Sequence, residues 1–332
     1  MSGPLAVSEL NGERLGVRLL PPGTDLSAEG LFALAAIGFG AARPAGLANV
    51  VPFSAPDLPL LWGEPRIETW VTDERPSYGS LDGMAAAWTA TTLFGILEIP
   101  DGSGEPIEGA TYSAYDRIFS VLERTGYPHL LRLWNFFPRI TAAERGLERY
   151  QQFSVARHAA FVAHRRAPET APAASAVGSR GGPFTLLFLA ARSAGTPIEN
   201  PRQVSAYHYP PQYGPRSPTF SRALLARIGG SSRLFLSGTA SILGHESVHL
   251  GDPGQQVVEA LANIGALQDE ARKRGFPATG PRHFKAYVRD PESLDVIRAR
   301  VLERLRPSDR IVFLHAELCR PELLVEVEGI CA

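Results

Sequence analysis

Hydrophobic residues in this chain cluster into runs of strand length and into helical stripes, and the order of the two kinds predicts a layered fold. Residues 83–100 (GMAAAWTATTLFGILEIP) and 129–137 (HLLRLWNFF) are apolar almost without interruption, the pattern of strands covered on both faces. Between them residues 107–126 read as a helix. A second helix is predicted from about Thr141, a plausible N-cap with Glu144 three residues on as in a capping box, through residues 149–165. Further on, residues 184–192 (FTLLFLAAR), 203–209 (QVSAYHY) and 233–238 (RLFLSG) are strand-like. Asp252 as N-cap and Pro253 at the first helical position open a long helix. Val257, Val258, Leu261, Ile264 and Leu267 recur along it at helical spacing. A strand at 283–288, a helix at 292–305 and strands at 310–318 and 323–329 complete a βββαβαββ order. The first half shows a looser strand, helix, strand, helix pattern. The predicted fold class is therefore α+β, with two related halves, each a sheet backed by helices. Residues 166–183, rich in Ala, Pro, Ser and Gly and without periodicity, predict the boundary, giving domains 1–166 and 182–332.

Composition narrows the class. With 332 residues, 44% hydrophobic and 20% charged, the chain can bury a substantial core and lies far from disordered composition. Its 33 basic and 34 acidic residues nearly cancel, which argues against nucleic acid as a partner. The two cysteines, Cys319 and Cys331, sit near the C-terminus and do not make the framework of a disulfide-stapled secreted domain. The opening MSGPLAVSEL lacks the basic start and apolar run of a signal peptide, and no apolar stretch approaches the ~18 residues of a membrane span. A cytoplasmic protein without a membrane partner is expected. Lysine occurs only at Lys273 and Lys285, so arginine supplies nearly all the positive charge. Codon bias in a GC-rich genome accounts for that without any functional demand.

Four groups of residues could carry chemistry. His245-Glu246-Ser247-Val248-His249 matches HExxH, in which two histidines one helical turn apart bind zinc beside a glutamate base. That geometry needs a helix, and Gly244, Gly251 and the Asp252-Pro253 helix start crowd the segment, so a loop or short turn is expected there. Tyr150 and Arg157, seven residues apart on a predicted helix, share a face about 10 Å from each other, and such a pair could hold a compact dicarboxylate as well as form a solvated stripe. Tyr207, His208, Tyr209, Tyr213, Arg216 and Arg222 gather hydroxyl and guanidinium donors among prolines, a composition suited to an anion pocket or to a stiff surface loop. In LLVEVE the alternation places Leu324, Glu326 and Glu328 on one face of a strand. A carboxyl group beside aliphatic surface can be kept protonated by desolvation, as a general acid requires, although such a strand more often turns its polar side to water. Cys319 alone reads as a buried structural thiol.

The phrases ERYQQFSVARHAAF, PRQVSAYHYPPQYGPRSPTFSRA, LFLSGTASILGHESVHLGD and ELCRPELLVEVE together resemble the chorismatase family. The resemblance covers most of the chain and is densest from about Leu131 onward. It implies a C-terminal domain similar to the YjgF/RidA (chorismate-mutase-like) fold, an N-terminal domain of related layout, and a monomer. It further implies removal of the enolpyruvyl group of chorismate as pyruvate, with no metal or organic cofactor. The positions matching the family's substrate-binding residues are Tyr150, Arg157, Tyr209 and Arg222, with Tyr213 and Arg216 nearby, and its catalytic glutamate matches Glu326. Hydroxybenzoate-forming members carry a cysteine seven residues before that glutamate, as Cys319 stands before Glu326. Ala240, in the SGTAS loop, is another position expected to influence the outcome, and alanine fits the hydrolytic members as well. The expected products are pyruvate and 3-hydroxybenzoate, with some 4-hydroxybenzoate. The alternative is hydrolysis to a dihydroxycyclohexadiene carboxylate. A zinc protease and a non-catalytic RidA-like binding protein are the competing classes.

Overall fold

The structure, a computed structural model, describes residues 15–24, 30–101 and 106–332; the segment read for a signal peptide lies outside them. Strands β1 (Gly16–Leu20), β2 (Phe32–Phe39), β3 (Phe53–Ser54) and β4 (Arg66–Thr72) form a four-stranded sheet in the order β1-β4-β2-β3. The chain then builds one unit twice. In the first, β5 (Ser77–Leu81), β6 (Met84–Trp88) and β7 (Thr92–Ile99) precede helix α1 (Ile107–Thr125) and β8 (His129–Phe136). A small hairpin, β9 (Ala143–Glu144) and β10 (Leu147–Glu148), leads into α2 (Arg149–Ala163), and β11 (Ala173–Val177) and β12 (Phe184–Ala191) complete a sheet ordered β11-β8-β12-β7-β6-β5. The second has β13 (Thr196–Ile198), β14 (Ala223–Ile228) and β15 (Ser231–Ala240). A short ribbon, β16 (Ile242–Leu243) and β17 (Glu246–Ser247), precedes α3 (Pro253–Lys273), then β18 (Arg282–Val288), α4 (Leu294–Leu302), β19 (Arg310–His315) and β20 (Val325–Cys331). Read from the other edge, its sheet is β19-β18-β20-β15-β14-β13. The two orders correspond strand for strand: β8 and β11, like β18 and β19, are parallel neighbours, and the last strand of each unit inserts antiparallel into the middle.

Three apolar clusters fix the layers. One packs α1 and α2 on the outer face of the first large sheet, through Tyr115, Phe119, Phe153 and Phe161 among others. A second packs α3 and α4 on the second sheet through Val257, Ile264, Ile297 and Val301. Between them the inner faces of both large sheets meet with the four-stranded sheet, around Trp70, Phe94, Trp134, Phe235 and Leu314. The result is helices, sheet, sheet, helices, which bears out the α+β reading with two sheet-plus-helix halves.

Several predicted elements move. The strand at 184–192 exists, but it pairs with β7 and β8 and closes the first sheet, so that sheet extends past the predicted division at 182. The first strands of the second half are instead β13, of three residues, and β14, of six. Residues 203–209 form no strand; a single 3-10 turn at Ala206–His208 sits there, where the nearby Pro210, Pro211, Pro215 and Pro218 lack the N–H donors a ladder needs. The stretch 166–183 is not simply a linker. Its Ala173–Val177 is a largely buried strand at the seam, bridged to the other half between Ala173 and Ser221 and, just beyond, between Gly178 and Glu317. Helix α2 starts at Arg149, not near Thr141, because Arg145 and Gly146 both take positive φ (54° and 87°) and turn the β9–β10 hairpin. Glu144 therefore grips the Arg149 guanidinium at 3.0 Å with both oxygens and makes no capping box. Asp252 does cap α3, accepting from the Gln255 N–H at 2.9 Å.

Candidate active site

A cavity of about 290 Å³ opens between the halves, near the lower end of small-ligand sites (~300–1,000 Å³). One wall is α2 and β11; the other is the proline-rich segment before β14, the end of β15 and the residues leading into β20. Of the predicted site residues, Tyr150, Arg157, Tyr209, Tyr213, Arg222, Ala240, Cys319 and Glu326 all line it. Arg216 does not: it is exposed and lies near His158 on α2, whose imidazole it helps to keep neutral after the larger effect of burial.

Helical spacing puts Tyr150 and Arg157 on the same face of α2. Arg157 is buried, ringed by Tyr115, Phe153 and Phe161 at 5.2, 5.9 and 5.6 Å from its guanidinium carbon, and its Nε and Nη2 have no hydrogen-bond partner. A buried donor left unpaired costs ~1–3 kcal/mol, and aromatic faces offset only part of that. Its charge stands at the cavity wall, paired with no carboxylate among the described residues. Arg222 resembles it from the other wall: Nη2 donates to Tyr209 Oη at 2.6 Å and to the Val204 carbonyl at 2.8 Å, while Nε is unpartnered.

Glu326 forms the floor. It is buried on β20 opposite Ala240 of β15, and the room for it comes from an irregularity in the β15–β20 register between Leu236 and Thr239. A Cβ at Gly238 would stand 1.9 Å from Glu326 Oε1, so any side chain there would displace the Glu326 carboxyl. Burial, and then the charge of Glu328, push the Glu326 carboxyl up to about 8, so it holds its proton at neutral pH. Glu328 is also buried, and the expectation of a strand with its polar side in water fails. Arg132 at 2.7 Å and Lys285 at 2.9 Å overcome its burial and bring it to about 2. Two carboxyl groups two residues apart are thus held in opposite states. Cys319, pushed up to about 12 by burial and then by Glu326, stays a thiol, and Tyr150 is held well above its usual range by burial, Cys319 and Glu326.

Sequence reasoning passed over Arg320. Its guanidinium carbon stacks 3.9 Å from the centre of the Tyr213 ring and 5.3 Å from that of Tyr209, and Nη1 donates to the His245 carbonyl at 3.0 Å and to Ser247 Oγ at 3.1 Å. Its only signal in sequence was adjacency to Cys319. The HExxH segment is the β16–β17 ribbon, turning on Gly244 with φ 59°. His245 Nδ1 meets Tyr213 Oη at 3.1 Å, whereas His249 faces Glu259 at 3.7 Å. The two imidazoles serve different partners, and no cluster of three metal-ligating side chains occurs among the described residues.

Fold and cavity together define a duplicated sheet-plus-helix protein whose interdomain pocket offers buried guanidinium groups and one protonated carboxyl to a small anionic molecule. Known proteins of like sequence and fold identify the family. The N-terminal model of the family described as chorismatase FkbO/Hyg5-like matches residues 68–190. A 3-hydroxybenzoate synthase of Streptomyces hygroscopicus is 41% identical over 279 residues, covering 80% of this chain and 82% of that one. A crystal structure of a chorismatase superposes over 98% of this chain and 100% of its own, with a TM-score of 0.86 at 34% identity. The chain belongs to the chorismatase family. A RidA from Psychrobacter matches 34% of this chain and 87% of its own, with a TM-score of 0.29 at 20% identity.

Proposed function

We propose that the chain converts chorismate to pyruvate and 3-hydroxybenzoate, with some 4-hydroxybenzoate. The observation that carries this reading is the protonated Glu326 at the floor of a cavity walled by Arg157 and Arg222, neither of them ion-paired to a carboxylate among the described residues. Chorismate is a compact dicarboxylate, and the two guanidinium groups on opposite walls suit its two carboxylates. Glu326 delivers its proton to the methylene carbon of the enol ether, leaving an oxocarbenium ion stabilised by the ether oxygen. The bond from that oxygen to the ring then breaks and pyruvate departs, while the oxygen of the neighbouring ring hydroxyl bridges to the carbon left electron-poor; its bond to its original carbon then breaks for 3-hydroxybenzoate, or the new bond reopens for 4-hydroxybenzoate. A ring proton returns to Glu326 as the ring aromatises. One proton enters and one leaves, no water is consumed, and no step needs a metal or an organic cofactor. Both walls come from one chain, which supports action as a monomer.

Incubation of the purified protein with chorismate tests this. Pyruvate and hydroxybenzoate should form in equal amounts without added metal or nucleotide. Loss of activity with a chelator and its return with zinc would overturn the reading in favour of the metalloenzyme class; an intact, inert chorismate would leave a binding protein.

Cys319 bears on the product. Its un-ionised thiol is soft and poorly hydrated, and on the cavity wall it helps keep water from the cation, favouring the internal route. Cys319→Ala is expected to shift products toward the dihydrodiol or 4-hydroxybenzoate while pyruvate release continues at a reduced rate, as chromatography of the reaction would show. A dihydrodiol as the sole product of the unaltered protein would instead make Ala240, the cross-strand neighbour of Glu326, the residue that sets the outcome.

A further inference from the structure

Two residues along β20 from Glu326, outside the cavity lining, lies a group of buried charges that the chemistry above does not use. Glu68 from β4, Arg132 from β8, Lys285 from β18 and Glu328 from β20 meet there, all nearly inaccessible to solvent. Lys285 Nζ stands 2.9 Å from Glu328 Oε1 and 2.9 Å from Glu68 Oε2, and Arg132 Nη2 stands 2.7 Å from Glu328 Oε2. The indole N–H groups of Trp134 and Trp70 donate to Glu328 at 2.8 Å and to Glu68 at 3.0 Å. Two anions and two cations balance, so the group has no need of Glu326 as a counter-ion. Lys285 is one of only two lysines in the chain, and a compact ammonium can touch two carboxylates at once where a planar guanidinium would be harder to seat.

Strand alternation places Glu326 on the same face of β20 as Glu328, with Tyr287 and Lys285 as their partners across the ladder. An ionised carboxylate at that distance, away from water, opposes a second negative charge. Arg132 and Arg222 act in the opposite sense on Glu326. Tyr150, Tyr287 and Cys319, whose protons burial holds more tightly than usual, face it as neutral groups.

We propose that Lys285 and Arg132 are positioning residues that hold Glu328 as a permanent anion beside Glu326 on the same face of β20, and that this anion retains on Glu326 the proton the reaction delivers. The inference rests on the reading of Glu326 as the acid. It also explains why a strand would bury two glutamates when the chemistry uses one.

The test compares the unaltered protein with Glu328→Gln, with the double variant Lys285→Met/Glu328→Gln, and with Lys285→Arg, by pH profiles of kcat and KM. Infrared difference spectra against Glu326→Gln follow the carbonyl band of the protonated Glu326 with no need of activity. In the unaltered protein the band should disappear as pH rises through about 8. In Glu328→Gln it should disappear about one pH unit lower or more, with the alkaline limb of kcat moving alongside. At pH 9 turnover then falls about tenfold relative to the unaltered protein, the change in protonated fraction for a one-unit shift, and it recovers on the acid side with KM little changed. Lys285→Arg keeps the positive charge with a poorer seat between Glu68 and Glu328, and where it folds it should keep the original limb. The double variant removes an anion and a cation together, so the buried charge stays balanced while Trp70 still donates to Glu68; it decides the matter if Glu328→Gln does not fold. A band and limb left at their original pH in the folded variants overturn the proposal, as does a loss of turnover that is uniform with pH. If Glu326→Gln itself stays active, the assignment of the acid is what fails.

Discussion

Glu326→Gln is expected to lower the rate of pyruvate release from chorismate by at least ~100-fold, the usual contribution of a positioned acid, with the fold unchanged. The amide matches the carboxyl in shape and fits the space beside Gly238, but it has no proton of suitable acidity to give. The pH dependence of the unaltered protein supplies an independent check. Burial and the neighbouring Glu328 raise Glu326 to about 8, so the competent, protonated form predominates below that pH and is lost above it. Turnover should therefore be sustained through neutrality and decline as pH rises through about 8, a limb that kcat/KM reports for the free enzyme. Glu328 cannot take over the role, since its ion pairs with Lys285 and Arg132 keep it ionised down to about 2. Near-normal turnover in a well-folded Glu326→Gln protein would exclude Glu326 as the proton donor.

The residues of the cavity were legible where a local period fixes geometry. Seven residues on a helix return Tyr150 and Arg157 to one face, and two on a strand do the same for Glu326 and Glu328. What lies opposite those faces is not local. The alternation of LLVEVE ordinarily means water on the polar side, and here that side meets the inner layer of the sandwich. The groups that make this tolerable are remote, with Arg132 196 residues from Glu328 and Lys285 217 residues from Glu68.

Topology was harder to read than chemistry for a related reason. The two units share a strand order but little local pattern: β13 has three residues, and β5 is only partly covered. Residues 203–209 carry the β-branched and aromatic side chains of a strand, yet the prolines that follow keep them out of a ladder, and Tyr209 goes to the cavity wall. Ala173–Val177 looked featureless because its side chains are small, and small side chains suit a strand in contact with both halves. Ala240 was assigned to a loop. It ends β15, and the register irregularity just before it, with Gly238 inside, makes the space for Glu326.

Arg157→Ala is expected to raise the KM for chorismate and to lower kcat/KM by 10-fold to over 100-fold. Each charge-assisted hydrogen bond to a buried carboxylate contributes ~1.5–3 kcal/mol, and 1.4 kcal/mol is a factor of ten. Two donors of Arg157 stand unpaired in the free protein, so the loss falls on the complex more than on the fold. The fold loses the packing of the guanidinium among Tyr115, Phe153 and Phe161 but leaves no carboxylate without its partner. Arg157→Lys restores the charge and not the planar fork, and should recover part of the binding. His245→Ala is the contrasting case. Its ring makes one hydrogen bond, to Tyr213, and its contact with Arg320 runs through the backbone carbonyl, which the substitution keeps. A net value of ~0.5–1.5 kcal/mol for a neutral hydrogen bond sets a loss of about tenfold or less. Steady-state kinetics of the three variants separate wall from ribbon. A silent Arg157→Ala beside an inactive His245→Ala would mean that the anion is held at the ribbon and not on α2.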